Sequence, residues 1–216
     1  MLILLLPQGA APPPINVGEV ILDLIPSLGA YQADNLVAWT TTELYEFADE
    51  GAKRFAVRIG GFVEHNDDES VVNGTASYTL PTRHLSTIYL AVGDTTLYPT
   101  TRQALEALDA TWTATSEETP TRFLQDEQTK VRIYPTPNAD SSGAIGIIHH
   151  QYPTDVTAAA PSVTAPSVLS EYLAWYMLSE ARGKESDLAM PEVSKFFAGL
   201  VGLFEDIAGE YWGKAQ

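Results

Sequence analysis

The chain has 216 residues, 45% of them apolar and four of them tryptophan, enough for one substantial core or one domain with a smaller lobe. Its 12 basic residues against 28 acidic ones give a net charge of −16, which argues against a protein that grips DNA or RNA phosphates but not against one that lets DNA slide past. There is no cysteine, so disulfides, thiolate metal sites and a cysteine nucleophile are excluded.

The opening stretch MLILLLPQGAAPPP carries a short apolar run, Leu2 to Leu6, with no basic flank and a proline directly after it. A secretory signal has a longer apolar region, and a membrane span needs about 20 apolar residues. Pro7, Pro12, Pro13 and Pro14 favour extended backbone. Residues 1–16 are therefore expected to form an extended arm, and its apolar tip, with Leu4 and Leu5, is a candidate contact with a neighbouring surface.

Apolar residues at Val17, Val20, Ile21, Leu24, Ile25 and Leu28 fall on one face of a helix, with Asn16 as its N-cap and Pro26 warning of an early end or kink. Residues 34–38 read as a linker. Thr40 and Glu43 have the spacing of a capping box. The helix they open runs through Leu44, Phe47, Ala48, Gly51, Phe55 and Ile59 to a glycine stop at Gly60-Gly61.

From Phe62 the pattern becomes that of strands. Glu64 to Glu69 reads as a polar loop. Val71 to Pro81 reads as strand, Asn73-Gly74 turn and strand. Leu85 to Val92 is a further strand, turned at Gly93-Asp94 and returning through Thr95 to Tyr98. Thr101 to Ala110 reads as a short helix, and Trp112 to Pro120 as a polar loop around one aromatic residue.

The stretch Arg122 to Pro137 reads as a β-hairpin, with Asp126 to Thr129 as its turn. In the return strand Val131 and Ile133 share one face while Lys130, Arg132 and Tyr134 share the other. Pro135 and Pro137 end it, because proline cannot donate to a strand ladder. Gly143 to Tyr152 is a last strand, and Ala158 to Pro166 a low-complexity linker.

Val168 to Ala181 is helical, with Gly183 as its stop. A final helix starts near Pro191, which suits a first-turn position, and carries apolar residues around much of its circumference from Val193 to Tyr211 and Trp212. The two ends are thus helical and the middle is β. The expected fold is α+β: a helical bundle from residues 17–61 and 164–216, carrying an inserted antiparallel β module with a short helix over residues 62–157.

No chemistry-bearing motif stands out. His65 with Asp67, Asp68 and Glu69 lacks the spacing of a calcium loop and reads as a solvated loop. His149 and His150 are adjacent in a strand, so they point to opposite faces and cannot share a metal. There is no G-x-S-x-G elbow, and no glycine-rich phosphate loop follows a strand. Tyr172, Trp175, Tyr176, Phe196, Phe197, Tyr211 and Trp212 are at helical spacing and read as core or subunit interface. No catalytic residue, cofactor or metal is expected, and no enzyme activity.

The succession of elements resembles the head-to-tail adaptor proteins of tailed bacteriophages, also called head completion or connector proteins. The stretches that carry the likeness are TTTELYEFADEGAKRFA, VVNGTASYTLP, LSTIYLAVGDTTLYPTT, ALEALDATW, KVRIYPTP, IGIIHHQYP and the long C-terminal segment from Ser167 to Leu200. Together they cover nearly everything after residue 16. Each is turn and strand grammar by itself; the order and spacing are more specific.

The resemblance implies a structural virion protein at the neck. It would form a ring, usually a dodecamer, docked below the portal, extending the DNA channel and presenting a surface to tail or tail-fibre proteins. It implies no specific DNA binding and no membrane. The candidate interface residues are Leu4, Leu5, Phe197, Tyr211 and Trp212. Adjacent residues on a helix point about 100° apart, so one core face does not bury both Tyr211 and Trp212. The alternatives are a tail terminator or minor tail protein and, from another class, a tail-associated carbohydrate-binding or hydrolytic module.

Overall fold

The structure, a computed structural model, describes residues 14–28, 39–60, 62–164, 167–184 and 190–213, without the side chains of residues 25–28, 126 and 211–213. The chain begins with β1 (Pro14–Asn16), α1 (Val17–Leu28) and α2 (Thr41–Ile59). Next come β2 (Val63–Ser70), β3 (Ser77–Thr79), β4 (His84–Val92), β5 (Thr95–Thr96), β6 (Tyr98–Pro99) and α3 (Arg102–Leu108). β7 (Ser116–Glu117), β8 (Arg122–Glu127), β9 (Lys130–Tyr134), β10 (Thr136–Pro137) and β11 (Ala144–Gln151) follow, and the chain closes with β12 (Ser162–Thr164), α4 (Leu169–Gly183) and α5 (Pro191–Gly213). The fold is α+β. It divides into two compact units, residues Met1–Phe62 with Pro153–Gln216, and Val63–Tyr152.

In the first unit, β1 pairs antiparallel with β12, setting Ile15 opposite Val163. The last three residues expected in the arm are therefore a strand, and so are residues 162–164 of the linker expected at 158–166. Their backbone groups find each other across the sequence, which local composition does not announce. Residues 1–13, with Leu4 and Leu5, lie outside the described residues.

The Asn16 side chain accepts from the Gly18 N–H at 3.0 Å and caps α1, which buries Val17, Ile21 and Leu24. The Thr40–Glu43 capping box is formed, and α2 ends at Gly60 with φ +70. Only a residue free of a Cβ takes that left-handed turn without strain. Among the described residues α4 is the central helix: α1, α2 and α5 all pack on it. It buries Tyr172, Leu173, Tyr176 and Met177 on one side and Leu178, Ala181 and Arg182 on others. At Gly51 of α2 a Cβ would come within 2.8 Å of Tyr176 Cδ1, so glycine there sets how closely α2 approaches α4.

The second unit holds two four-stranded sheets, in the orders β2-β11-β4-β5 and β3-β9-β8-β6. Tyr78, Leu80, Leu90, Val92, Phe123, Val131, Ile133, Ile145 and Ile147 from both sheets form one core. A second cluster, Leu105 of α3 with Trp112, Leu124 and Tyr134, is separate from it, and Arg132 lies over the Trp112 ring at 4.7 Å.

Several expectations change here. Glu64 to Glu69 is the body of β2, not a loop. It is the last strand of its sheet, bonded among the described residues only to β11, so it needs no apolar face, and its carboxylates discourage pairing with another acidic strand. The Asn73-Gly74 turn forms, with Gly74 at φ +75, but the strands beside it join different sheets instead of pairing as a hairpin. The module is not wholly antiparallel: β6 pairs parallel with β8, and β7 with β10. The connection through α3 is long enough to permit the first of these. The Arg122 hairpin is present, but β8 runs on to Glu127 through a register shift, leaving only Gln128 and Thr129 in the turn.

A candidate interface on the C-terminal helix

Helix α5 starts at Pro191, whose missing N–H costs nothing in a first turn. Its start is pinned to α4: Met190 N–H donates to the Arg182 carbonyl at 3.0 Å, and the Ser194 hydroxyl to the Ser179 carbonyl at 2.8 Å.

Beyond that point α5 carries two apolar stripes with the same four-three-four spacing, rotated from each other by about 100°. The inner stripe is Phe197, Val201, Phe204 and Ala208; Val201 and Ala208 are buried and the two rings half-buried. Phe204 sits among Phe55, Tyr172 and Trp175, with ring centroids 6.3, 5.6 and 6.1 Å away.

The inner side also holds a polar tie. Glu205 accepts from Arg54 Nε at 2.6 Å and Nη2 at 3.0 Å, and from the Tyr172 hydroxyl at 2.8 Å. Burial pushes the Glu205 carboxyl up, but the hydrogen bonds from Arg54 and Tyr172 outweigh it and hold the group below its ordinary range. Burial raises the Tyr172 hydroxyl strongly, and the bond to Glu205 raises it further, so it stays a donor. One carboxylate thus joins α2, α4 and α5.

The outer stripe is Phe196, Leu200, Leu203 and Ile207. Phe196 is 62% exposed, Leu203 57% and Ile207 62%, while Leu200 is half-buried. Glycine borders this stripe at Gly199, where an added Cβ would meet nothing within 4 Å.

Of the residues singled out from sequence, Phe197 lies half-buried on the inner stripe, with the exposed ring of Phe196 5.3 Å from its own. Tyr211 and Trp212 are in the last turn of α5, and their side chains are outside the described residues. Leu4 and Leu5 are outside them altogether. Phe196 is among the aromatics read from sequence as core or subunit interface; Leu203 and Ile207 are not singled out there, although the doubled stripe that identifies them can be read by writing the helix in steps of four and three.

In the second unit His65 is exposed on β2. His149 is fully buried, with its Nδ1 3.1 Å from the His150 carbonyl and its Nε2 3.8 Å from Glu64. Among the described residues no group of three or more histidines and carboxylates is placed to hold a metal. No helix among them is long and apolar enough to cross a membrane.

A search of the curated proteins finds no match to the chain. The family model of the SU10 adaptor protein matches residues 16–213, nearly the whole chain apart from residues 1–15 of the opening arm and the last three residues. That family is one of phage structural adaptors, which makes the chain a component of the virion. The chain belongs to the SU10 adaptor protein family.

Proposed function

We propose that the protein is one subunit of a ring at the virion neck, between portal and tail, and that the ring extends the channel through which DNA passes. A dodecamer is the stoichiometry the family resemblance implies. In this reading the helices of residues 17–61 and 164–216 act as a bundle facing the portal and the ring neighbours. Residues 62–157 contribute to the outer or tail-facing surface, met by tail or tail-fibre proteins. The net charge of −16 suits a channel wall that DNA must not adhere to.

The observation that carries the reading is the outer stripe of α5. Covering Phe196, Leu203 and Ile207 would contribute about 1–2 kcal/mol each, given that each is somewhat over half exposed. Glycine inside a helix costs about 1 kcal/mol relative to alanine, and among the described residues no packing contact requires it at Gly199. Close approach by a neighbour gives that glycine a use. Repeated head-to-tail contacts of this kind close into a ring when the rotation permits. The arm tip at Leu4 and Leu5, together with Phe197, Tyr211 and Trp212, belongs to the same docking surface in this reading.

A reconstruction of the virion tests it. A closed ring at the neck with α5 covered by the next subunit or the portal is expected; a single copy or a two-fold dimer there would sink the proposal. Truncation after Ala208 should leave a folded protein that no longer joins portal-bearing heads.

A further inference from the structure

The core of the second unit is open at one edge. Where β2 and β3 end their respective sheets, a cleft of about 220 Å³ passes between them. Its floor is core: Leu90, Val131 and Ile147 are 0%, 2% and 5% exposed. Tyr78 forms one side, its hydroxyl fixed by the Val72 N–H at 3.0 Å. The rim is made by Asp68 and Glu69 of β2, and Asn66 donates to the Asp68 carboxylate at 3.2 Å and holds it in place. Because β2 brings only polar side chains to this side, nothing of its own covers the floor.

A hydrocarbon floor beneath a carboxylate rim suits one kind of side chain. Lysine and arginine lay an apolar stem on such a surface and keep the charged head at its margin, where a carboxylate accepts from it. The backbone offers the second half of a site. Among the described residues β2 pairs only with β11, with a bulge between Asn66 and Glu69; the Asp68 N–H donates to the Asn66 side chain at 3.2 Å, and the other outward N–H and C=O groups of this edge are open to an added strand. Another copy of β2 is a poor candidate for that strand, since pairing would set Glu64, Asp67, Asp68 and Glu69 against the same charges.

We propose that the β2–β3 edge is a docking site for an extended segment of a partner protein, which adds as a strand to β2 and inserts one arginine or lysine into the cleft. The site concerns the free subunit and does not depend on the ring.

The test is a titration of the full chain, ¹⁵N-labelled, with the peptide Val-Thr-Ile-Arg-Ile-Thr-Val, followed by amide shifts. Saturable shifts confined to β2, β3 and the cleft floor are expected. Glutamate in place of the peptide's arginine should weaken binding by about tenfold or more, as should Asp68→Asn with Glu69→Gln, since each removes charge-assisted hydrogen bonds. Thr79→Trp, at an exposed position on the cleft wall, should block binding while the spectrum stays dispersed. The proposal is overturned by equal binding of a leucine-centred peptide, by shifts scattered over the acidic surface, by unimpaired binding to the Thr79→Trp protein, or by no saturable binding. Shifts in β2 on deleting residues 1–13 alone would assign the cleft to the chain's own arm and overturn it equally.

Discussion

Replacing Glu205 probes the point where three helices share one carboxylate. In Glu205→Ala the Tyr172 hydroxyl, on a side chain with 0% exposure, loses its acceptor, which costs about 1–3 kcal/mol. Arg54 is 43% exposed and can turn to water, so the lost ion pair adds only about 0.5–1 kcal/mol. The sum is about 2–4 kcal/mol. Glu205→Gln keeps an acceptor for Tyr172 and should cost only about 1 kcal/mol. Tyr172→Phe removes the group that would be stranded, so combining it with Glu205→Ala should cost less than the two separately, by about 1 kcal/mol or more. Urea unfolding read by hydrogen exchange in α4 and α5 isolates this unit from the other. Equal losses for Glu205→Ala and Glu205→Gln, or strict additivity with Tyr172→Phe, would refute the reasoning.

On the outer stripe, Leu203→Ser and Ile207→Ser should change the free protein's stability by less than about 1 kcal/mol yet abolish incorporation into heads, whereas Val201→Ala, buried on the inner stripe, should cost about 1–3 kcal/mol in urea. Gly51→Ala forces a Cβ to 2.8 Å from Tyr176 and should cost about 1–3 kcal/mol, while Gly199→Ala, into open space, should stabilise the free protein by up to about 1 kcal/mol. The hydrogen bond from Lys184, with those of Thr40, lowers Glu43 from 4.5 to about 2. The unfolded chain therefore binds this proton first, and the stability Glu43 contributes is complete above about pH 4.5 and lost as the pH falls toward 2. Glu43→Gln should flatten that part of an acid titration followed at α2. Asp109, lowered to about 2 by Thr115 and Thr111, should behave likewise in the second unit, with Asp109→Asn as its control.

What could be read from the sequence was what is decided locally. The Thr40–Glu43 capping box, the stop at Gly60 and the alternation of Val131 and Ile133 each depend on residues a few positions apart, and each forms. What could not be read depends on distant partners. β2 has no alternating apolar face because an edge strand with polar residues on both sides needs none, so Glu64 to Glu69 looks like a loop. Asn73-Gly74 specifies a turn but not whether the strands beside it pair, and they do not. The pairing of β1 with β12 spans most of the chain. On α5 the composition shows that apolar residues surround the helix, but only the packing of α2 and α4 decides that Phe204 points inward and Phe196 outward.

The pairing of Val63 with His150 has a consequence for synthesis. The second unit is one continuous segment, complete once residue 152 is made, while the first needs α4 and α5 from the far end of the chain. Because Val63 and His150 are Cα partners on adjacent strands, folding of the segment brings its two ends together. The connection that α2 must close to reach α4, residues 60–168, then shrinks to residues 60–62 and 153–168 joined across that strand pair. That shortening removes about 1.5 kcal/mol of loop-closure entropy. A fragment of residues 63–152 is therefore expected to fold by itself, which a dispersed amide spectrum would check. During translation the strands would be in place before the helices that flank them in sequence can meet.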